Sequence, residues 1–296
     1  MLEGFEKYLG QKRFTNSTIK AHLDNVSYFS AWLEKSGLVE AENVVYNDLL
    51  NYVQYEQHRN MDVATINLRL GSISKYFEYL KKENIITRNA ARTLRIKGKL
   101  QKVMEYPLKY DELEQLYHVY KSLNKEPGKN VEQRVTLTHQ RNIVIVGLMI
   151  WQGLHTGELD KLETTHINLT DGIIYIPSTS RSNNRELRLH TQQILPLHHY
   201  LYGGIREKLG FKGDRLFARR ALDIVRYLLE ELKGINPQVR NAQHVRASVI
   251  LHWLKQHNKR QVQYMVGHKH IDSTEKYAVQ EMEGLTGQLA KHHPFG

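Results

Sequence analysis

The sequence has no cysteine among its 296 residues, which excludes disulfides, thiolate nucleophiles and thiolate-bound zinc and fits a reducing compartment. It also lacks a long apolar stretch. The longest, residues 143–151, is nine residues interrupted by Gly147, well short of the ~20 needed to cross a bilayer. The opening MLEGFEKYLG is not a secretory signal, so a soluble, cytoplasmic protein with no membrane partner is expected. No segment repeats and none is low in complexity. Acidic residues are the last shortage: 31 Asp and Glu stand against 42 Lys and Arg, a net charge of +11. That balance suits a protein that meets a polyanion, and nucleic acid leads the candidates.

What is present reads as two domains, as the length allows. After Asn16 and Ser17, which can cap, Ile19, Leu23, Val26, Phe29 and Leu33 recur at helical spacing, and Gly37 ends the run. A shorter helix is expected over residues 47–55. Ile66, Leu70, Ile73, Phe77 and Leu80 form the most regular stripe in the chain. Its opposite side carries Arg69, Ser72 and Lys75, a polar face suited to lie against a duplex. Residues 1–96 are therefore expected to form a helical, DNA-binding domain. A basic linker over 97–105 follows, in which Lys97, Lys99 and Lys102, with Arg95 just before them, are suited to track phosphates.

The second domain, 106–296, opens with a helix capped by Asp111 and carrying Leu113, Leu116, Tyr117 and Tyr120. Residues 143–150 are apolar on every side, which predicts a helix buried at the domain's centre. Strand composition at 173–176 and alternation at 186–190 predict a hairpin with Arg181 at its tip or shoulder. An amphipathic helix follows over Leu222, Val225, Leu228, Leu229 and Leu232. The expected fold class is mainly α, with one small β-sheet.

Residues 241–279 bring the chemistry together. Arg246 lies on a helix whose apolar face is Val245, Val249, Trp253 and Leu254; a short helix over 262–266 stops at Gly267; His268 follows at the turn, and Tyr277 is carried back by the next segment. An arginine, a histidine and a tyrosine in this order suggest phosphate chemistry. A His-bound metal site could draw on His198-His199, His268, His270 and His292-His293, but their spacings match no HExxH or similar motif, so no metal is expected.

With Gly267-His268 followed by tyrosine nine residues after the histidine, and with Arg246 upstream in a helix, the chain resembles the tyrosine recombinase (phage integrase) family. Asn67-Leu68-Arg69-Leu70 and Phe77-Glu78-Tyr79-Leu80 look like that family's core-binding signature. The resemblance implies a helical, SAM-like core-binding domain followed by a mixed α/β catalytic domain, together clamping double-stranded DNA. It implies no cofactor, and a homotetramer on paired sites whose C-terminal tails, here from about residue 280, exchange between neighbours. Tyr277 would attack a DNA phosphate to form a 3′-phosphotyrosine, with Arg246 and His268 holding the phosphate oxygens.

Four departures mark the chain as an atypical member. His155 stands where the first catalytic arginine is expected, and it cannot reproduce a bidentate guanidinium. The hairpin lysine falls on Arg181, which is expected to reach in and replace the charge lost at 155; Arg185 is a second candidate. Gln243 takes the place of the histidine before Arg246, with His244 displaced by one position, and Ala247 replaces the histidine after it. A catalytically impaired DNA-binding paralogue is the alternative function.

Overall fold

The computed structural model describes residues 2–37, 41–97, 106–123, 133–211, 213–217 and 220–278. The chain divides into two compact units, Met1–Lys102 and Val103–Gly296, each with its own apolar core.

The first unit is helical: α1 (Leu2–Gln11), α2 (Asn16–Lys35), α3 (Tyr46–His58) and α4 (Val63–Lys82). The cap of α2 is Thr15, whose hydroxyl accepts from Thr18 N, one residue ahead of the expected pair. The stripe read from the sequence, Ile66 to Leu80, is buried on α4, but so are Arg69, Ser72, Tyr76 and Tyr79. The wider burial arises because α4 packs against both α1 and α2. Two of the residues assigned to a DNA-facing surface therefore point inward. Arg69 is ion-paired with buried Glu56 at 2.6 Å and lies against the Tyr28 ring. Ser72 is hydrogen-bonded within the unit to His22 and Asn25. Lys75 is half-buried with its ammonium over the Phe14 ring. Arg95 and Lys97 are exposed. Lys99 and Lys102 lie outside the described residues, as does the tail from 280.

The second unit comprises α5 (Tyr110–Ser122), α6 (Gln133–Trp151), α7 (Thr156–Leu159), β1 (Ile167–Asn168), β2 (Ile173–Ile176), β3 (Arg185–Arg188), α8 (Thr191–Tyr202), α9 (Ile205–Lys208), α10 (Ala221–Ile235), α11 (Ala242–Gln256) and α12 (Lys259–Val266). The strands form one antiparallel sheet in the order β1-β2-β3, with Ile174 opposite both Ile167 and Leu187. The all-round apolar run of α6 is buried from Ile143 to Ile150 against α5, α8 and α11. The cap of α5 is Lys109 rather than Asp111, with Glu112 reaching back to the Lys109 amide. Buried Gln152, just past α6, donates to Arg188 O at 2.9 Å and so fixes β3 to the end of the central helix.

Candidate phosphate-binding active site

After α6, Gly153 takes φ +58 and turns the chain into α7. His155 is the N-cap of α7: its Nδ1 accepts from Gly157 N at 3.0 Å and Glu158 N at 3.3 Å, while its own amide donates to Glu158 Oε2. An imidazole nitrogen that accepts two amides carries no proton, so the ring proton sits on Nε2. That nitrogen is buried without a hydrogen-bond acceptor among the described residues and lies 3.7 Å from Glu158 Oε2. Burial depresses the His155 pKa to about 4 despite the pull of Glu158 in the other direction. A neutral cap, not a charged clamp, occupies this position at pH 7.

Glu158 is fully buried and shared by two arginines. Its Oε1 accepts from Arg185 Nη1 at 2.6 Å and its Oε2 from Arg246 Nη1 at 3.0 Å. Burial alone would raise its pKa, but the Arg185 hydrogen bond and the two guanidinium charges overturn that and hold it at about 2. Arg246, on α11, also donates to Gly153 O and to Val266 O. Arg185, the first residue of β3, donates through Nε to Met265 O at 2.7 Å. Both cations thereby take up carbonyls at the C-terminal end of α12, where a helix leaves acceptors unsatisfied and favours positive charge.

Gly267 ends α12 at φ +77. A Cβ there would collide with Arg185 Nη1 and come within 3.0 Å of Asn183 O, so the turn needs glycine for its conformation and for the close approach. The hairpin docks on this turn: Asn183 N donates to Gly267 O at 2.8 Å, and Ser182 bridges to His268. His268 Nδ1 is 2.9 Å from Thr274 Oγ1, leaving Nε2 as the nitrogen open to a ligand. Burial, then Arg246 and Arg185, lower the His268 pKa to about 4. Tyr277 lies on a helical segment over residues 272–278, one turn beyond Thr274. Its ring stacks on His268 with centroids 6.1 Å apart, and its Oη accepts from Gln243 Nε2 at 3.1 Å. Burial raises the Tyr277 pKa, while Arg246 and the Gln243 hydrogen bond pull it back.

The structure thus gathers Tyr277, His268, Gln243, Arg246 and His155 into one region, together with Arg185. Two expected site residues are placed differently: Arg181 is near enough for its charge to help lower the His155 pKa but does not enter the buried cluster, and His244 turns away. Arg181 is exposed: docking of Ser182 and Asn183 on the α12 turn leaves it on the outside of the hairpin, and Arg185, four residues on, enters instead. His244 faces away, with Nε2 3.0 Å from Tyr106 O, as expected of a one-residue step of ~100° around a helix. Glu158 and Thr274 escaped assignment as site residues. Thr274, three residues before Tyr277, shares its helical face, which is the one sequence signal that could have found it. Among the described residues no group of three or more His, Cys, Asp or Glu could hold a metal ion, and no helix is long and apolar enough to cross a membrane.

Residues 2–84 match the family described as "Phage integrase, N-terminal SAM-like domain". The chain is 24% identical to the tyrosine recombinase XerC of Anoxybacillus flavithermus over 98% of its own length and 96% of that protein's. With the tyrosine recombinase XerC of Bacillus subtilis it shares 20% identity over 98% and 95% of the two lengths. In fold it is similar to the XerH site-specific recombinase bound to a palindromic difH substrate, with a TM-score of 0.73, 18% identity, and coverage of 92% of this chain and 79% of that one. It is also similar to a lambda integrase dimer bound to a COC' core site, at TM-score 0.66, 18% identity and 93% coverage of both chains. The chain is thus similar to tyrosine recombinases over nearly its whole length, its first helical unit matches the phage integrase SAM-like family, and a tyrosine, a histidine and an arginine are gathered at one turn.

Proposed function

We propose that this protein is a site-specific DNA recombinase that cuts and rejoins double-stranded DNA through a 3′-phosphotyrosine intermediate. The observation that carries the reading is the placement of Tyr277 Oη: it is hydrogen-bonded to Gln243, which stands one helical turn before Arg246, and its ring lies on His268. In the step, Tyr277 Oη bonds to phosphorus and loses its proton, the P–O5′ bond breaks, and the departing 5′ oxygen takes up a proton as a free hydroxyl. The covalent phosphodiester keeps the bond energy, so the reverse attack by a 5′-hydroxyl reseals the strand without a nucleotide cofactor. Arg246 offers planar paired donors to the phosphate oxygens and His268 Nε2 a further donor, stabilising the charge that builds in the transition state. Gln243 holds the phenolic oxygen but is no proton relay. Arg181 stands at the rim, where the DNA backbone would pass.

We assign the double-stranded DNA partner to both units, with Arg95 and Lys97 as phosphate contacts of the basic connecting segment. The assembly proposed is a homotetramer on paired sites in the cytoplasm, with tail exchange through residues from about 280. Covalent capture tests the reading. Wild type incubated with a pool of nicked duplexes carrying a randomised core is expected to yield a protein–DNA adduct that survives denaturant, and Tyr277→Phe none. Binding without an adduct would favour the catalytically impaired paralogue.

A further inference from the structure

The cluster around Glu158 is not electrically closed. Two guanidiniums face a single carboxylate, Arg185 at 2.6 Å and Arg246 at 3.0 Å. The two imidazoles beside them, with pKa values of about 4, add no charge at pH 7 and cancel none. One positive charge is therefore in excess in a buried setting, where charges are ordinarily paired.

Of the two arginines, Arg185 is the one with a buried nitrogen that has no acceptor at all among the described residues. Arg246 places Nη1 on Gly153 O and Glu158, and Nη2 on Val266 O. Arg185 places Nε on Met265 O and Nη1 on Glu158 and, at 3.5 Å, on Asn183 O. Its Nη2 is buried and has no acceptor among the described residues. The residue is 2% exposed, so solvent does not satisfy this nitrogen. Buried side-chain donors are ordinarily paired. Among the described residues the other buried nitrogen of the cluster without an acceptor is His155 Nε2, 3.7 Å from Oε2 of the same carboxylate. Two donors wanting acceptors and one surplus positive charge describe the complement of an oxyanion.

We propose that Arg185, delivered by β3, is the second guanidinium that binds the scissile phosphate, with His155 Nε2 as an accompanying neutral donor. The proposal rests on the recombinase reading above and deepens it: a guanidinium from the sheet supplies the charge that His155 does not. Glu158 holds the two guanidiniums apart, and Gly267, lacking a Cβ, lets Arg185 pass beside the residue that precedes His268.

The test uses the duplex recovered by covalent capture, resynthesised with either a normal phosphate or a methylphosphonate at the scissile position. The methyl group removes one charged oxygen. Wild type, Arg185→Ala and Arg185→Lys are compared in single-turnover adduct formation, with melting temperatures recorded for each. Loss of one oxyanion donor is expected to slow adduct formation on the phosphate by about 10²–10³-fold. On the methylphosphonate the variants recover relative to wild type, so that the preference for phosphate falls at least tenfold. Should the alanine variant fail to fold, the lysine variant, which keeps a cation against Glu158, carries the same comparison. An unchanged preference in a folded variant, whether cleavage is normal or equally slowed on both substrates, overturns the proposal and leaves the recombinase reading standing. A wild type that yields no adduct from the pool overturns both.

Discussion

His155 shows how a single substitution alters the response to acid. Its ordinary pKa of 6.5 falls to about 4 in the folded chain, so between those values the unfolded state takes up a proton that the folded state refuses. Stability is therefore lost as pH falls from about 6.5 towards 4. His268 acts in the same direction over the same window. Glu158, held at about 2 against an ordinary 4.5, extends the loss from about pH 4.5 down to 2. The expected outcome is a urea midpoint that declines steadily from pH 7 to pH 4. Asparagine also caps helices well and does not titrate. His155→Asn should then keep α7 and remove about 2 kcal/mol of the decline, allowing for the ring's partial exposure; an unaltered slope would show that His155 is not the group responsible. At this scale the sequence was informative where spacing is local. Tyr277 and His268 announce themselves by their separation. The sharing of Glu158 does not, because its partners are 27 and 88 residues away, and whether a charged side chain on a hairpin faces in or out is decided by what the hairpin docks against.

Elements with one regular apolar stripe were legible, and those whose pattern is broken were not. Helix α8 carries Pro196 and polar buried Gln193, and no element is assigned there from the sequence. Helix α4 was legible as a helix but misread at its faces, since a stripe fixes one buried side and says nothing about a second neighbour. The turn at the end of α12 is the element on which the site depends most. Alanine at Gly267 would have to hold φ +77 and displace Arg185. Gly267→Ala is expected to cost about 1–3 kcal/mol for the backbone alone, with a further cost from the displaced guanidinium. Chemical denaturation reads the sum, and adduct formation should fall more steeply than stability. A variant that melts and cleaves like wild type would show the turn to be unimportant.

At the scale of the molecule, the distribution of charge matters more than its total of +11. Cations that meet DNA in solution and cations that hold a core together carry the same formal charge but answer to different measurements. Arg69 belongs to the second kind, since its removal leaves buried Glu56 with only the longer, 3.8 Å contact to half-exposed Arg59. Arg69→Ala should destabilise the first unit by about 3–5 kcal/mol and leave the salt dependence of DNA binding unchanged. The exposed pair Arg95 and Lys97 should do the reverse: replacing both is expected to lower the slope of log affinity against log salt by about 0.9 per lost contact, with melting unaffected. The mainly helical class with one small sheet was foreseeable from periodicity; which basic residues reach the surface was not, because composition does not report burial. The two arginines gathered on one carboxylate also bear on the choice of solvent. On the reading of Arg185 given above, inorganic phosphate or sulfate competes with DNA for those guanidiniums, so an affinity or cleavage rate measured in such a buffer describes a contest between anions, whereas one measured in chloride or acetate lies closer to the intrinsic value.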